Sequence, residues 1–185
     1  MSKKDNIKAA ALQILVDNGI HATPMSAIAK AANTGMGTIY NYYPTKEALI
    51  NAIYLDIKER EEKLLVAPHK KRSIKSIFIH YYLTVTNFYL ENPDYFRFVN
   101  QLQSSPIITP ENKAKGYQAI QPVIEMLKRG QQEGLIKKMS IEELLQFIGG
   151  ALLSHLAWLI MRGGKPESGT THHNQIALVW DAIKK

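Results

Sequence analysis

Apolar residues recur along this chain every three or four positions and nowhere in sustained alternation, so the pattern predicts helices throughout. Ile7, Ala10, Ala11, Ile14 and Leu15 share one face of a first helix over about residues 3–18. Lys4, Lys8 and Asp17 share its outer face, and Gly19 supplies the stop. Thr23-Pro24 reads as an N-cap and first-turn proline for a short helix whose Met25, Ile28, Ala29 and Ala32 face inward, ending near residues 33–35. A second short helix from Met36 to Tyr43 buries Ile39 and Tyr43, and Pro44 closes it by disfavouring helical geometry at the residue before it. Thr45 caps a long helix over about residues 46–66 with Leu49, Ile50, Ile53, Ile57 and Leu64 inward. It ends before Pro68 and a solvated basic run, His69-Lys70-Lys71-Arg72.

The same reading continues to the C-terminus. Ser73 opens a helix to about Glu91, Asn92-Pro93-Asp94 one to about Leu102, and Thr109-Pro110-Glu111 one to about Gly130, with a kink at Pro122. Ser140 and Glu143 form a capping box for an apolar helix ending near Gly163-Gly164, and after a loop residues 171–183 form the last helix. The expectation is an all-α chain of about nine helices: a three-helix N-terminal domain, residues 1–46, followed by a helical domain, residues 47–185. Leu144 to Met161 carries no formal charge and just reaches bilayer-spanning length, but Gln146, Ser154 and His155 interrupt it. It is expected to be a core helix, with no membrane involved.

Composition narrows the chemistry only in part. With no cysteine there are no disulfides or thiolate metal sites, and the start MSKKDNIKAAA resembles no signal, so a cytoplasmic protein is expected. The net charge of +7 suits a polyanionic partner without locating its site. The six histidines show neither metal-ligand spacing with a carboxylate nor a nucleophile–base arrangement, so no enzyme, metal or cofactor is expected.

The stretch GMGTIYNYYPTKEAL, residues 35–49, decides between two uses of glycine. A dinucleotide cradle needs a strand before the glycines and a third glycine three residues after Gly37, where this chain has Tyr40. The preceding SAIAKAA is a helix former, so the cradle fails on context. Two short helices joined by a glycine-containing turn, behind a longer supporting helix, are what a helix-turn-helix requires. Gly35 and Gly37 keep the second helix slim enough to approach a groove wall, while Thr38, Asn41 and Tyr42 project away from Ile39 and Tyr43. Thr38 and Asn41 can reach base edges or phosphates, Met36 a thymine methyl, and the hydroxyls of Tyr40 and Tyr42 phosphate oxygens. Thr23 with Ser26, and Thr45 with Lys46, bring capping hydroxyls and a cation to either side, an arrangement suited to gripping phosphate.

On these residues, the segment from Ile7 through TPMSAIAKAANTGMGTIYNYYPTKEALINAIY to Tyr54 resembles the DNA-binding domain of the TetR family of transcriptional repressors, TetR/AcrR type. The remainder resembles the family only in helix number and order. The resemblance implies a homodimer, double-stranded operator DNA with dyad symmetry, and release on binding a small molecule. It places Thr23, Thr34, Gly35, Met36, Gly37, Thr38, Tyr40, Asn41, Tyr42 and Lys46 where relatives touch DNA. Asn33, Gly35 and Met36 depart from the residues common there, and Asn33 fits because asparagine enters the left-handed region readily.

In the larger domain, polar-tipped aromatics stand among apolar residues, which suits a small-molecule cavity. Tyr82, Tyr89, Phe96, Met126, His155 and Trp158 are the candidate wall for a lipophilic or aromatic effector. The apolar helix from Ile141, with Gly150, Leu152, Ser154, Leu156 and Leu159, is the candidate homodimer interface. The competing reading is a helical small-molecule or lipid carrier, or interaction module, without DNA binding.

Overall fold

The computed structural model describes residues 2–65, 72–103, 105–163 and 170–185. Among the described residues ten helices form: α1 (Lys3–Asn18), α2 (Met25–Ala31), α3 (Met36–Tyr42), α4 (Lys46–Leu65), α5 (Ile74–Glu91), α6 (Pro93–Leu102), α7 (Pro110–Ala119), α8 (Gln121–Gln132), α9 (Ile141–Met161) and α10 (Thr170–Ile183). The described residues contain no strand, only an isolated antiparallel bridge between Ile136 and Lys184. The all-α expectation holds, with one helix more than expected. The stretch read as one kinked helix breaks at Ile120, because Pro122 in the first turn of α8 has no N–H with which to continue α7. His69-Lys70-Lys71 and residues 164–169, read from sequence as loops, lie outside the described residues.

The chain divides into two compact units. The first is Met1–Arg60 with Asn92–Gly116, and the second is Glu61–Glu91 with Tyr117–Lys185, so α4 and α7 each contribute to both.

In the first unit α1 packs against α2 and α6. Ile7, Leu15, Ile28, Ile39, Leu49 and Ile50 are fully buried, each contributing on the order of 1.5–3 kcal/mol. Ser2 and Asp5 form a capping box that starts α1. Two polar clusters fix α4. Lys8 bridges Asp5 and Asp56, and although burial opposes its charge, the Asp56 hydrogen bond and the surrounding charges raise its pKa overall. Asn51, nearly buried, donates to the Glu47 and Ile107 carbonyls and accepts from Thr109 N and Asn112 Nδ2, at 2.8–3.2 Å. Leu64, expected inward, is exposed and Leu65 is buried instead.

In the second unit α5 packs on α8, α9 and α10 around Phe78, Tyr82, Val85, Leu127, Ile148 and Leu156. The capping box of Ser140 and Glu143 opens α9 as expected. This helix is long and apolar enough to cross a bilayer, yet Leu144, Ile148, Leu152, His155, Leu156 and Leu159 form one buried stripe along it. It serves as a core helix of the bundle, and its opposite side remains exposed.

Candidate functional site

The helix-turn-helix is built by local chemistry. α2 ends at Ala32, and the turn is closed by Asn33 N donating to Lys30 O and Thr34 N donating to Ala29 O. Asn33 takes φ 47°, the left-handed conformation its side chain tolerates better than most. Met36, Gly37 and Thr38 then begin α3, and Tyr43, in extended geometry before Pro44, ends it. Ile39 is fully buried, and Tyr43 nearly so beneath the Lys4 ammonium, 5.9 Å from its ring centroid.

The rest of α3 faces outward. Tyr40 and Tyr42 are 46% and 44% exposed, Asn41, Gly35 and Gly37 are exposed, and Thr34, Met36 and Thr38 are half-buried. A Cβ placed on Gly35 or Gly37 would touch nothing else in the chain, so internal packing does not require glycine at either position. α3 contains no charged residue. Cations come from its flanks: Lys30 is exposed at the end of α2, and Lys46 is half-exposed at the start of α4, where Thr45 Oγ1 accepts from Ala48 N. The Lys46 ammonium donates to the His21 carbonyl at 3.3 Å, which holds it beside the turn after α1.

Thr23 is a correction. It neither caps α2 nor faces solvent: Pro24 occupies the cap position, and Thr23 is 1% exposed. Its hydroxyl lies 2.8 Å from the Gly19 carbonyl and 3.4 Å from that of Ile14, so it satisfies the open C-terminal end of α1 and is shielded from solvent. The other nine residues share one surface region formed by the turn, α3 and the start of α4.

The second unit scatters the expected effector wall. Only His155 and Trp158 meet at a cleft of about 420 Å³, completed by Ser154, Asn174, Gln175 and Leu178. Tyr82 lies behind it, its ring centroid 6.0 Å from that of His155, and burial pushes its phenol up to about 12. Met126 lines a separate cavity of only about 10 Å³. Tyr89 instead donates from its hydroxyl to the buried Glu61 carboxylate at 3.1 Å, and Phe96 belongs to the core of the first unit. Burial, with His172 nearby, pushes His155 down to about 4, so its ring is neutral at pH 7.

The expected dimer face is corrected too. Leu152, Leu156 and Leu159 are buried in the chain's own core, because they share the stripe that packs on α5, α8 and α10. Gly150 and Ser154 are exposed on the other side, between Phe147, Trp158 and Met161. Leu178 of α10 is likewise exposed, at 67%. Phe147 and Met161 were not singled out from the sequence, although it carried a signal for them: positions 147, 150, 154, 158 and 161 recur at helical spacing, a second stripe that the more apolar first one masked.

Residues 7–53 match the family model for bacterial regulatory proteins of the tetR family. The HTH-type transcriptional regulator UidR of Escherichia coli K12 is 42% identical over 57 residues, 31% of this chain and 29% of that protein, so the match spans well under half of this relative. The HTH-type transcriptional regulator YhgD of Bacillus subtilis strain 168 is 32% identical over 135 residues, 70% of this chain and 63% of that one. The crystal structure of a tetR-family transcription regulator from Shewanella sp. PV-4 superposes over the whole of both chains with a TM-score of 0.90 at 21% identity, a likeness of fold. Together, the N-terminal match and the helix-turn-helix geometry make this chain a member of the TetR family.

Proposed function

We propose that this protein is a cytoplasmic DNA-binding transcriptional regulator: a homodimeric repressor that leaves a dyad-symmetric operator when it binds a small lipophilic or aromatic effector. The observation that carries the DNA-binding half is α3, whose apolar side is buried through Ile39 while Tyr40, Asn41 and Tyr42 stand in solvent with no structural duty for Gly35 or Gly37. Such a helix can enter a major groove, with Asn41 and Thr38 reaching base edges and the tyrosine hydroxyls and Lys46 reaching phosphates. Functionally the chain divides near residue 46, with reading in residues 1–46 and effector binding and pairing in residues 47–185.

Pairing is supported by the exposed stripe of Phe147, Trp158 and Met161 on α9 with Leu178 on α10. Four large apolar side chains on neighbouring helices are more than a monomer ordinarily leaves in water, and Gly150 and Ser154 between them permit a close approach of a second α9. The effector would act on DNA affinity through α4, whose residues up to Arg60 belong to the first unit and whose last turn belongs to the second. DNA and effector must then weaken each other's binding by the same factor.

The test is binding of the purified protein to its own upstream DNA and to shuffled DNA of equal composition, across a salt series. Specific binding that falls linearly in log–log form with salt is expected. Equal affinity for native, shuffled and selected random sequences would sink the regulator reading in favour of a carrier.

A further inference from the structure

We infer that each operator half-site is read as a short core of A·T pairs, with Asn41 recognising an adenine and Met36 a thymine methyl group. This deepens the proposed function and rests on its reading that α3 enters a major groove. It names the bases that such a helix can tell apart.

The arrangement of residues around α3 makes the first selection. At helical spacing Gly37 and Asn41 stand one turn apart on the side opposite the buried Ile39, and both are exposed. Gly37 has no side chain, so Asn41 is the hydrogen-bonding group that points straight outward. Met36 is half-buried at the N-terminal end of the helix, the end from which a recognition helix contacts base edges. With 7 residues α3 is about 10 Å long, so it fits a major groove about 12 Å wide and spans about three base pairs.

Chemistry makes the second selection. Guanine is read by a cation that donates to both O6 and N7, and cytosine by a carboxylate that accepts from N4. Between Lys30 and Lys46 the sequence contains no Lys, Arg, Asp, Glu or His, so the turn and α3 carry neither reader. What remains suits adenine and thymine. The Asn41 amide can donate to N7 and accept from the N6 amino group of one adenine, a pairing guanine refuses because its O6 and N7 both accept. Met36 offers a thymine methyl apolar contact, and the Thr38 hydroxyl, able to donate or accept, adds no preference.

The nearest cations are placed for the backbone. Lys30 is exposed at the end of α2, the helix that crosses the sugar–phosphate backbone when its successor lies in the groove. Lys46 is tied to the His21 carbonyl at 3.3 Å, at the start of α4. These two supply affinity for any sequence, and the neutral face between them supplies the choice.

The experiment selects binding sites for the full-length protein from random duplex DNA at fixed salt, then alters single pairs in the selected sequence. Enriched dyad half-sites with an A·T core are expected. Replacing one core pair by G·C should weaken binding roughly five- to 150-fold. Inosine·C should weaken it as much, because it shows the major groove of G·C with the minor groove of A·T. At the adenine read by Asn41, 7-deazaadenine, which lacks N7, should cost about tenfold. Deoxyuridine in place of the contacted thymine should cost about fourfold, the worth of one buried methyl group. Asn41→Ala should abolish the first penalty and keep the second, and Met36→Ala should do the reverse. Lys30→Ala should weaken all sequences alike. Guanine in the enriched core, tolerance of inosine·C, indifference to both modified bases, or a Lys30→Ala loss confined to guanine-containing sites would overturn the inference and leave the regulator. Enrichment of no sequence over the starting pool would sink the regulator, and the inference with it.

Discussion

Two faces of this protein expose aromatic rings to nearly the same extent and for opposite reasons. On α3, Tyr40 and Tyr42 are 46% and 44% exposed, and on α9, Phe147 and Trp158 are 48% and 41% exposed. The α3 rings end in hydroxyls and stand beside Asn41 and exposed glycines, so the face is a set of hydrogen-bonding tips on a slim backbone. The α9 rings are joined by Met161 and by Leu178 of α10 into an apolar surface around a neutral cleft. Equal exposure thus supports two different partners, a polar polyanion at one face and an apolar copy at the other.

Breaking the apolar face should have the largest effect. Leu178→Asp with Phe147→Asp places two charges on the proposed pairing surface and leaves the core side chains untouched. Self-association measured by sedimentation should weaken by at least about a hundredfold while the helical content stays the same. A dimer that survives both substitutions would move the interface elsewhere.

The comparison also shows what was legible in the sequence. The α3 face could be read residue by residue because a short turn fixes its geometry locally: Asn33 takes the positive φ, Pro44 ends the helix and Ile39 alone sets the inward direction. Thr23 failed because a hydroxyl before proline suits a helix cap, while here the carbonyls of Gly19 and Ile14 compete for it. On α9, Leu152, Leu156 and Leu159 were read as facing a partner because the helix is apolar on two sides, and periodicity cannot say which side meets the chain's own core. That choice depends on α5, α8 and α10, which approach from far along the sequence. The cleft was half legible: His155 and Trp158 stood out as polar-tipped rings in an apolar run, whereas Asn174, Gln175 and Leu178 carry no local signal.

Acid should distinguish the two faces next. His155 is held down at about 4 by burial and by His172, against 6.5 in the unfolded chain. Protons therefore favour the unfolded chain, so this contribution to stability is complete above about pH 6.5 and is lost as pH falls towards 4. The shift corresponds to at most about 3 kcal/mol. His172, lowered by burial and by His173, adds in the same direction. Chemical denaturation at pH 7 and pH 4.5 should show a smaller acid loss in His155→Gln than in the parent, and equal losses would place the acid sensitivity elsewhere.

On the reading face, charge and hydroxyl should separate. Tyr42→Phe removes one hydroxyl and should weaken operator binding about tenfold without changing the salt slope, since no counter-ion is displaced by a phenol. Lys46→Ala should reduce the slope by about one for each copy bound, about two for the homodimer. A slope unchanged in Lys46→Ala would mean that its ammonium stays with the His21 carbonyl and contacts no phosphate.

The smallest change in stability gives the sharpest test of what the α3 surface is for. Gly37 lies inside α3, where glycine costs up to about 1 kcal/mol relative to alanine, and a methyl group there meets no other part of the chain. A helix under selection for folding alone would gain from alanine at this position. Gly37→Ala should therefore raise the denaturation midpoint slightly while weakening operator binding, because the added methyl stands on the exposed side, next to Tyr40 and Asn41. If the variant is more stable and binds operator as well as the parent, the groove wall does not approach the α3 backbone at residue 37. Docking would then rest on the tyrosine and asparagine tips alone, with the helix held further from the bases than its slim profile allows.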